Sequence, residues 1–191
     1  MGFFAIVMVA VLASCGKAPQ AEMDAAFAAV DSAKVAQADL YVAAEFTALQ
    51  DSLNAVVEGI EARKGKMFAS FSTEKEKLVA LTAQAAVVKA NGEAAKAQMI
   101  ADLEVMFAEM TGLVAENTAL IAKAPKGKGG AAVIAEIKAE MAVIEASVAE
   151  ANTMFTNGEY IGANDKVKAA KESAMAINTE LKEAIAKVSG K

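Results

Sequence analysis

Ile134-Ala135-Glu136-Ile137-Lys138-Ala139-Glu140-Met141-Ala142-Val143-Ile144-Glu145-Ala146-Ser147-Val148-Ala149-Glu150-Ala151-Asn152-Thr153-Met154-Phe155 decides the fold. Its apolar members Ile134, Ile137, Met141, Ile144, Val148, Ala151 and Phe155 follow one another at intervals of 3, 4, 3, 4, 3 and 4 residues. Steps of three and four return to one face of an α-helix at each turn, and their mean of 3.5 is the interval of a coiled-coil seam. A strand would alternate every second residue, and little alternation of that kind competes. The stretch reads as a helix with one apolar face, which has to be covered by other helices.

The same spacing recurs on both sides. Val42, Phe46, Leu49, Leu53, Val56 and Ile60 carry it, as do Met99, Leu103, Met106, Met110, Leu113, Asn117 and Leu120, with one polar member. Val167, Ala170, Ala174, Ile177, Leu181, Ala184 and Val188 continue it with smaller side chains. Composition agrees: of 191 residues 47 are Ala and 2 are Pro, respectively the best and the worst helix formers. Helix stops are sparse: Lys64-Gly65-Lys66, Asn91-Gly92, the segment 124–130 and Asn157-Gly158. They divide the chain into stretches 20–64, 67–91, 93–124, 131–156 and 160–188. The first stripe drifts near Val35, so a kink or break is expected around Leu40-Tyr41. Gly92 falls close to the seam, so 67–124 can also be read as one long helix with a kink. The predicted fold class is all-α: an elongated antiparallel helical bundle of coiled-coil hairpins, about five helices, with short turns making neighbours antiparallel. Residues 20–191 read as a single bundle domain with turns near 65, 92, 125–130 and 157–158. Asn117 on a seam is either a partly exposed helix end or a buried amide that fixes register.

The beginning of the chain has a different character. Phe3 to Ala13 is an unbroken apolar run of 11 residues. That is too short for a spanning helix, which needs about 20, and suits the apolar core of a secretory signal. Leu12-Ala13-Ser14-Cys15-Gly16 follows. This resembles a bacterial lipoprotein signal, in which a Leu and two small residues precede the Cys that becomes thioether-linked to diacylglycerol. An ordinary buried thiol, or a plain signal with an incidental Cys, is the alternative. The resemblance implies a signal peptide over 1–14, lipidation at Cys15 and a lipidated tether over 15–19. Residues 1–14 hold no Lys or Arg, a departure from the pattern that a natural start upstream of Met1 would account for. Gly16 in place of Asp implies forwarding to the outer membrane, with the protein facing the periplasm. Residues 20–61, with Ala38-Asp39-Leu40-Tyr41 and Phe46, resemble the Ala-rich helical envelope lipoproteins whose activity is largely unassigned. Asn157-Gly158-Glu159-Tyr160 with Ala163 and Ala169-Ala170 resembles the turn of tetratricopeptide-like hairpins.

Chemistry is limited by residue type. With 0 His and 1 Cys, the usual general base, an internal disulfide and multi-thiolate metal sites are absent. No catalytic, metal or cofactor-binding residues are expected, and no cofactor. Glu136, Glu140 and Glu150, with Glu104 and Glu109 on another helix, would need His partners for a di-iron bundle; with Lys138 between them, Glu136 and Glu140 read as a solvated face. Gly127-Lys128-Gly129-Gly130 lacks the strand and the Lys-Ser/Thr of a phosphate loop. It reads as a cationic connection, with contact to anionic lipid or glycan through Lys126 and Lys128 as the alternative. A net charge of −5 and a single Arg, Arg63, speak against nucleic acid. Met106 and Met110 read as adaptable core filler. A terminal Lys191 resembles that of the small envelope lipoprotein joined to peptidoglycan, although only this residue matches.

These features predict a membrane-anchored periplasmic lipoprotein, a non-enzymatic structural spacer or protein-docking scaffold of the cell envelope. Its partners would be membrane lipid through acylated Cys15 and an envelope protein, with peptidoglycan through Lys191 as a lesser possibility. The alternative is a small-molecule-binding helical module, for which Tyr41, Phe46, Phe107, Phe155 and Tyr160 are the lining candidates.

Overall fold

In a computed structural model, the described residues are 18–64, 66, 69–125, 127 and 130–189, and among them there are six helices and no strand. These are α1 (Gln20–Val35), α2 (Ala38–Tyr41), α3 (Ala43–Arg63), α4 (Ser72–Lys123), α5 (Gly130–Thr156) and α6 (Tyr160–Ser189). The all-α bundle expected from the seams is present. Cys15 with its preceding Leu12-Ala13-Ser14, Gly65, Lys126, Lys128, Gly129 and Lys191 lie outside the described residues. Where the sequence reads as one domain, the chain gathers into two compact units, residues 1–95 and 96–191. Helix α4 contributes its first part to one and the remainder to the other.

In the first unit, α1, α2, α3 and the start of α4 enclose one core. The predicted seam is buried from Phe46 through Leu49, Leu53 and Val56 to Ile60. Opposite it lie Met23, Ala26, Val30 and Ala33 of α1, and Leu78, Leu81, Ala85 and Val88 of α4, each set spaced 3, 4, 3. Burying one Leu, Ile or Phe contributes about 1.5–3 kcal/mol, so these rows supply the main drive for packing. The expected break near Leu40-Tyr41 falls instead at two places. Gln37 adopts the left-handed conformation (φ 63°) and ends α1, its N–H donating to the Lys34 carbonyl at 2.8 Å. Val42 (φ −135°, ψ 49°) then separates α2 from α3.

Of the two readings of 67–124, the single long helix is the one found: α4 continues through Asn91-Gly92, and the turn near residue 92 is absent. A glycine inside a helix costs about 1 kcal/mol relative to Ala, too little to end a helix that packing supports. Its role is spatial: a Cβ at Gly92 would stand 2.9 Å from Ala38 Cα, so the α4 backbone reaches α2 only without a side chain. Beside it, Lys89 Nζ donates to Ser32 Oγ at 3.2 Å and Asn91 Nδ2 donates to Glu45 Oε2 at 2.8 Å. Among the described residues, α4 is the one helix long and apolar enough to cross a membrane by length and composition. The contacts of Lys89, Asn91 and Gly92 are those of a helix packed on helices.

The second unit is built from the rest of α4 with α5 and α6. Leu103, Met110, Asn117 and Ile121 face Ile137, Met141, Ile144 and Ala151 of α5 and Ala163, Val167, Ala170, Ala174, Ile177 and Leu181 of α6. The last predicted seam member, Val188, is 57% exposed, so the stripe ends before it. The hairpin turn falls where Asn157-Gly158 places it. Gly158 has φ 82°, its N–H donates to the Phe155 carbonyl, and the Glu159 N–H donates to the Met154 carbonyl at 2.9 Å. This pair of bonds is a Schellman C-cap, which satisfies two carbonyls left over at the end of α5. The Ala163 N–H donates to the Glu159 carbonyl at 3.0 Å and opens α6 at once, so α5 and α6 lie antiparallel.

Candidate docking surface

The seam of α4 carries one amide, and its surroundings set the register of the second unit. Asn117 is fully buried. Its Nδ2 donates to the Ala174 carbonyl of α6 at 2.8 Å and lies 3.6 Å from Met141 Sδ of α5. Its Oδ1 accepts from Asn178 Nδ2 at 2.8 Å. A buried amide costs free energy unless its hydrogen bonds are made, and here one side chain reaches both neighbouring helices. The buried-register reading of Asn117 therefore holds, and the helix-end reading does not. Outside this pair, Lys182 Nζ meets Glu116 Oε1 at 2.8 Å. That bond, and after it a hydrogen bond from Asn178, hold the Glu116 carboxyl below its ordinary pKa. Asn178 was not legible from the seam, since it stands one position beyond Ile177; a second Asn in an apolar stretch was the available signal.

With α6 so placed against α4, one side of the α5–α6 pair remains open. A cavity of about 390 Å³ lies there, lined by Val143 and Ile144 of α5 and Ala176 and Ile177 of α6 together with Glu140, Ser173 and Glu180. A smaller one of about 150 Å³ shares Glu180 and lies against the end of α4, lined by Ala124, Pro125 and Gly130 as well as Val133, Ile137 and Leu181. Val143 is 66% exposed and Val133 46%, so the apolar lining is partly open to water.

The carboxylates singled out in the sequence are dispersed. Glu150 pairs with Lys166 at 2.6 Å, Glu109 pairs with Lys171, and Glu136 and Glu104 are exposed. Among the described residues no group of three or more His, Cys, Asp or Glu could hold a metal ion. Met110 is buried and Met106 half-buried, as core filler should be. The five aromatic candidates are not brought together. Phe46 is in the core of the first unit, and Tyr41, half-buried, is in the same unit but outside that core. Phe107, Phe155 and Tyr160 form an edge-to-face series in the second, with centroids 5.7 and 5.5 Å apart, and Lys96 Nζ lies 5.7 Å from the Tyr160 ring. Neither of the two cavities is lined by any of the five.

A further constellation escaped the sequence reading. Glu74, in the first turn of α4, is 5% exposed and meets Arg63 Nη1 at the end of α3 through both oxygens, at 2.9 and 3.2 Å. A cation at a helix C-terminus and an anion at a helix N-terminus also suit the two helix dipoles. The signal was the one Arg in a chain whose other strong cations are all Lys.

No family model matches the chain, and no curated protein and no solved structure matches it either.

Proposed function

We propose that the protein is a lipid-anchored component of the bacterial cell envelope that acts as a non-enzymatic spacer or protein-docking scaffold on the periplasmic side of the outer membrane. The observation that carries the reading is Leu12-Ala13-Ser14-Cys15: the only cysteine of the chain stands at the end of the apolar run from Phe3 to Ala13. A single acyl chain gives marginal membrane affinity, at about 0.8 kcal/mol per buried CH₂, whereas two or three on one cysteine anchor firmly. The remainder of the chain supports a scaffold, because its seams are consumed by helix packing. The wide division of Tyr41, Phe46, Phe107, Phe155 and Tyr160 weighs against the small-molecule alternative.

Metabolic labelling with palmitate tests the anchor. Label is expected on the wild-type chain and absent from Cys15→Ser, with the variant released from the membrane fraction. Label retained in Cys15→Ser, or a wild-type chain recovered from cytosol with its thiol free, overturns the reading.

A further inference from the structure

We propose that the open α5–α6 face of the second unit is a docking site for a cationic amphipathic helix of another protein, contacted over about two turns. This rests on the docking half of the function proposed above and is independent of the lipid anchor. The apolar lining joins the exposed Val143 and Ala176 to the buried Ile144 and Ile177, so an incoming apolar side chain would meet both helices. The larger cavity runs from Glu140 to Ile144 on α5 and from Glu180 to Ser173 on α6. At 1.5 Å per residue its α6 side is roughly 10 Å long. Such a length takes the apolar face of a short helix, read out through side chains at i, i+3/i+4 and i+7.

Charge selects the occupant. Glu140 lines the cavity from α5 and Glu180 from α6, and neither meets a cation among the described residues. Four lysines of α6 are engaged with other carboxylates: Lys166 with Glu150, Lys171 with Glu109, Lys182 with Glu116 and Lys187 with Glu183. An apolar strip between two unneutralised carboxylates complements a helix whose apolar stripe is flanked by Lys or Arg. A second copy of this chain is a poor occupant, since it would bring the same carboxylates and a net charge of −5 to the contact. An anionic lipid surface is repelled for the same reason.

The test uses the full-length Cys15→Ser chain and two synthetic helices of about five turns. Both carry one leucine stripe, flanked in the first by lysines and in the second by glutamates. Titration is followed calorimetrically at about 0.15 M salt, where charges beyond ~8 Å are screened. The lysine-flanked helix is expected to saturate at one per chain, and the glutamate-flanked one to bind at least about tenfold more weakly. Glu140→Gln with Glu180→Gln weakens the first by roughly five- to tenfold, and Val143→Asp abolishes it while leaving the circular dichroism of the chain unchanged. Asp51→Asn with Glu58→Gln, on exposed positions of α3, leaves it unchanged. The proposal is overturned by unsaturable binding, by an equal loss in the α3 control, by tight binding to Val143→Asp, or by sedimentation showing that the groove pairs two copies of the chain. Failure of palmitate labelling with groove binding intact would remove the anchor alone.

Discussion

Both units bury alanines and both have side chains that reach between helices, but the first has a backbone approach with no room for a Cβ and the second has a buried amide pair. In the first, Ala26, Ala33, Ala38 and Ala85 are wholly buried, and Gly92 has no room for a Cβ against Ala38. In the second, Asn117 touches α5 and α6 at once and is completed by Asn178. Close approach sets a distance but tolerates sliding, because one small residue resembles the next. A directional amide pair sets a register, because a shift by one turn leaves buried donors and acceptors without partners. An Ala-rich chain needs both devices, since its helices offer few large side chains to distinguish one alignment from another.

The comparison is broken most severely at Asn117. Asn117→Ala removes the bond to the Ala174 carbonyl, leaves an Asn178 amide hydrogen unpaired and opens a small void. The expected loss is about 2–4 kcal/mol, read as a lowered urea midpoint. Replacing both amides together, Asn117→Leu with Asn178→Leu, is expected to stay within about 1 kcal/mol of wild type, because no buried polar group is orphaned. If the single alanine costs under about 0.5 kcal/mol, the amide pair does not hold the unit.

Two glycines on one helix sharpen the contrast by sign. Gly92→Ala drives a Cβ into backbone at 2.9 Å and should destabilise by about 1–2 kcal/mol, even after the gain in helix propensity. Gly112 lies in the same α4, in the second unit, and a methyl group there would meet nothing within 4 Å, so Gly112→Ala should stabilise by about 0.5–1 kcal/mol. Thermal unfolding of the two variants side by side decides it, and equal effects would mean that the approach of α4 to α2 is not close.

A smaller effect is expected at the junction of α3 and α4. Arg63→Ala leaves the Glu74 carboxylate buried without its cation, but the Arg63 side chain is 46% exposed and water takes part of its place. A loss of about 1 kcal/mol follows. Arg63→Lys should recover part of it: Nη1 alone meets both Glu74 oxygens and the Ser70 carbonyl, and an ammonium on the shorter lysine stem restores the charge but not that full reach.

What the residue order reveals about this fold follows from which forces leave a periodic trace. The seams 46–60 and 137–151 were legible because burial of large apolar side chains repeats with the helix. The hairpin at Gly158 was legible because a left-handed residue after a helix is most often glycine. The division into two units was not, since one seam interval and one composition run through α4 across Ala95 and Lys96. Gly92 showed itself as a glycine but not what stands opposite it, and that contact, over fifty residues away in the chain, decides between a turn and a close approach. The groove was illegible for a related reason. Glu140 looked like any solvated acid, and only the structure sets it with Glu180 in one apolar lining.

Acid reads both units at once, with the smallest effect. Glu22 in the first is held below its ordinary value near 4.5 chiefly by a hydrogen bond from Lys75, 2.7 Å away, and Glu116 in the second chiefly by one from Lys182. A carboxyl whose folded pKa is depressed binds fewer protons folded than unfolded, so its contribution is fully present above the unfolded value and is lost as pH falls through the folded one. The urea midpoint should therefore hold from pH 7 to about 5 and decline below about 4.5. Both carboxyls are close to water, so each slope is shallow. Glu22→Gln and Glu116→Gln should each lower stability slightly at pH 7 and flatten part of the decline, and the double variant should be flattest. Since Asn178 is the second support of the Glu116 carboxylate after Lys182, Glu116→Gln should lose part of its influence on the acid slope once Asn178→Leu is present, whereas Glu22→Gln should act unchanged. A slope identical in wild type, the two single variants and the double variant would place the acid sensitivity in other carboxyls.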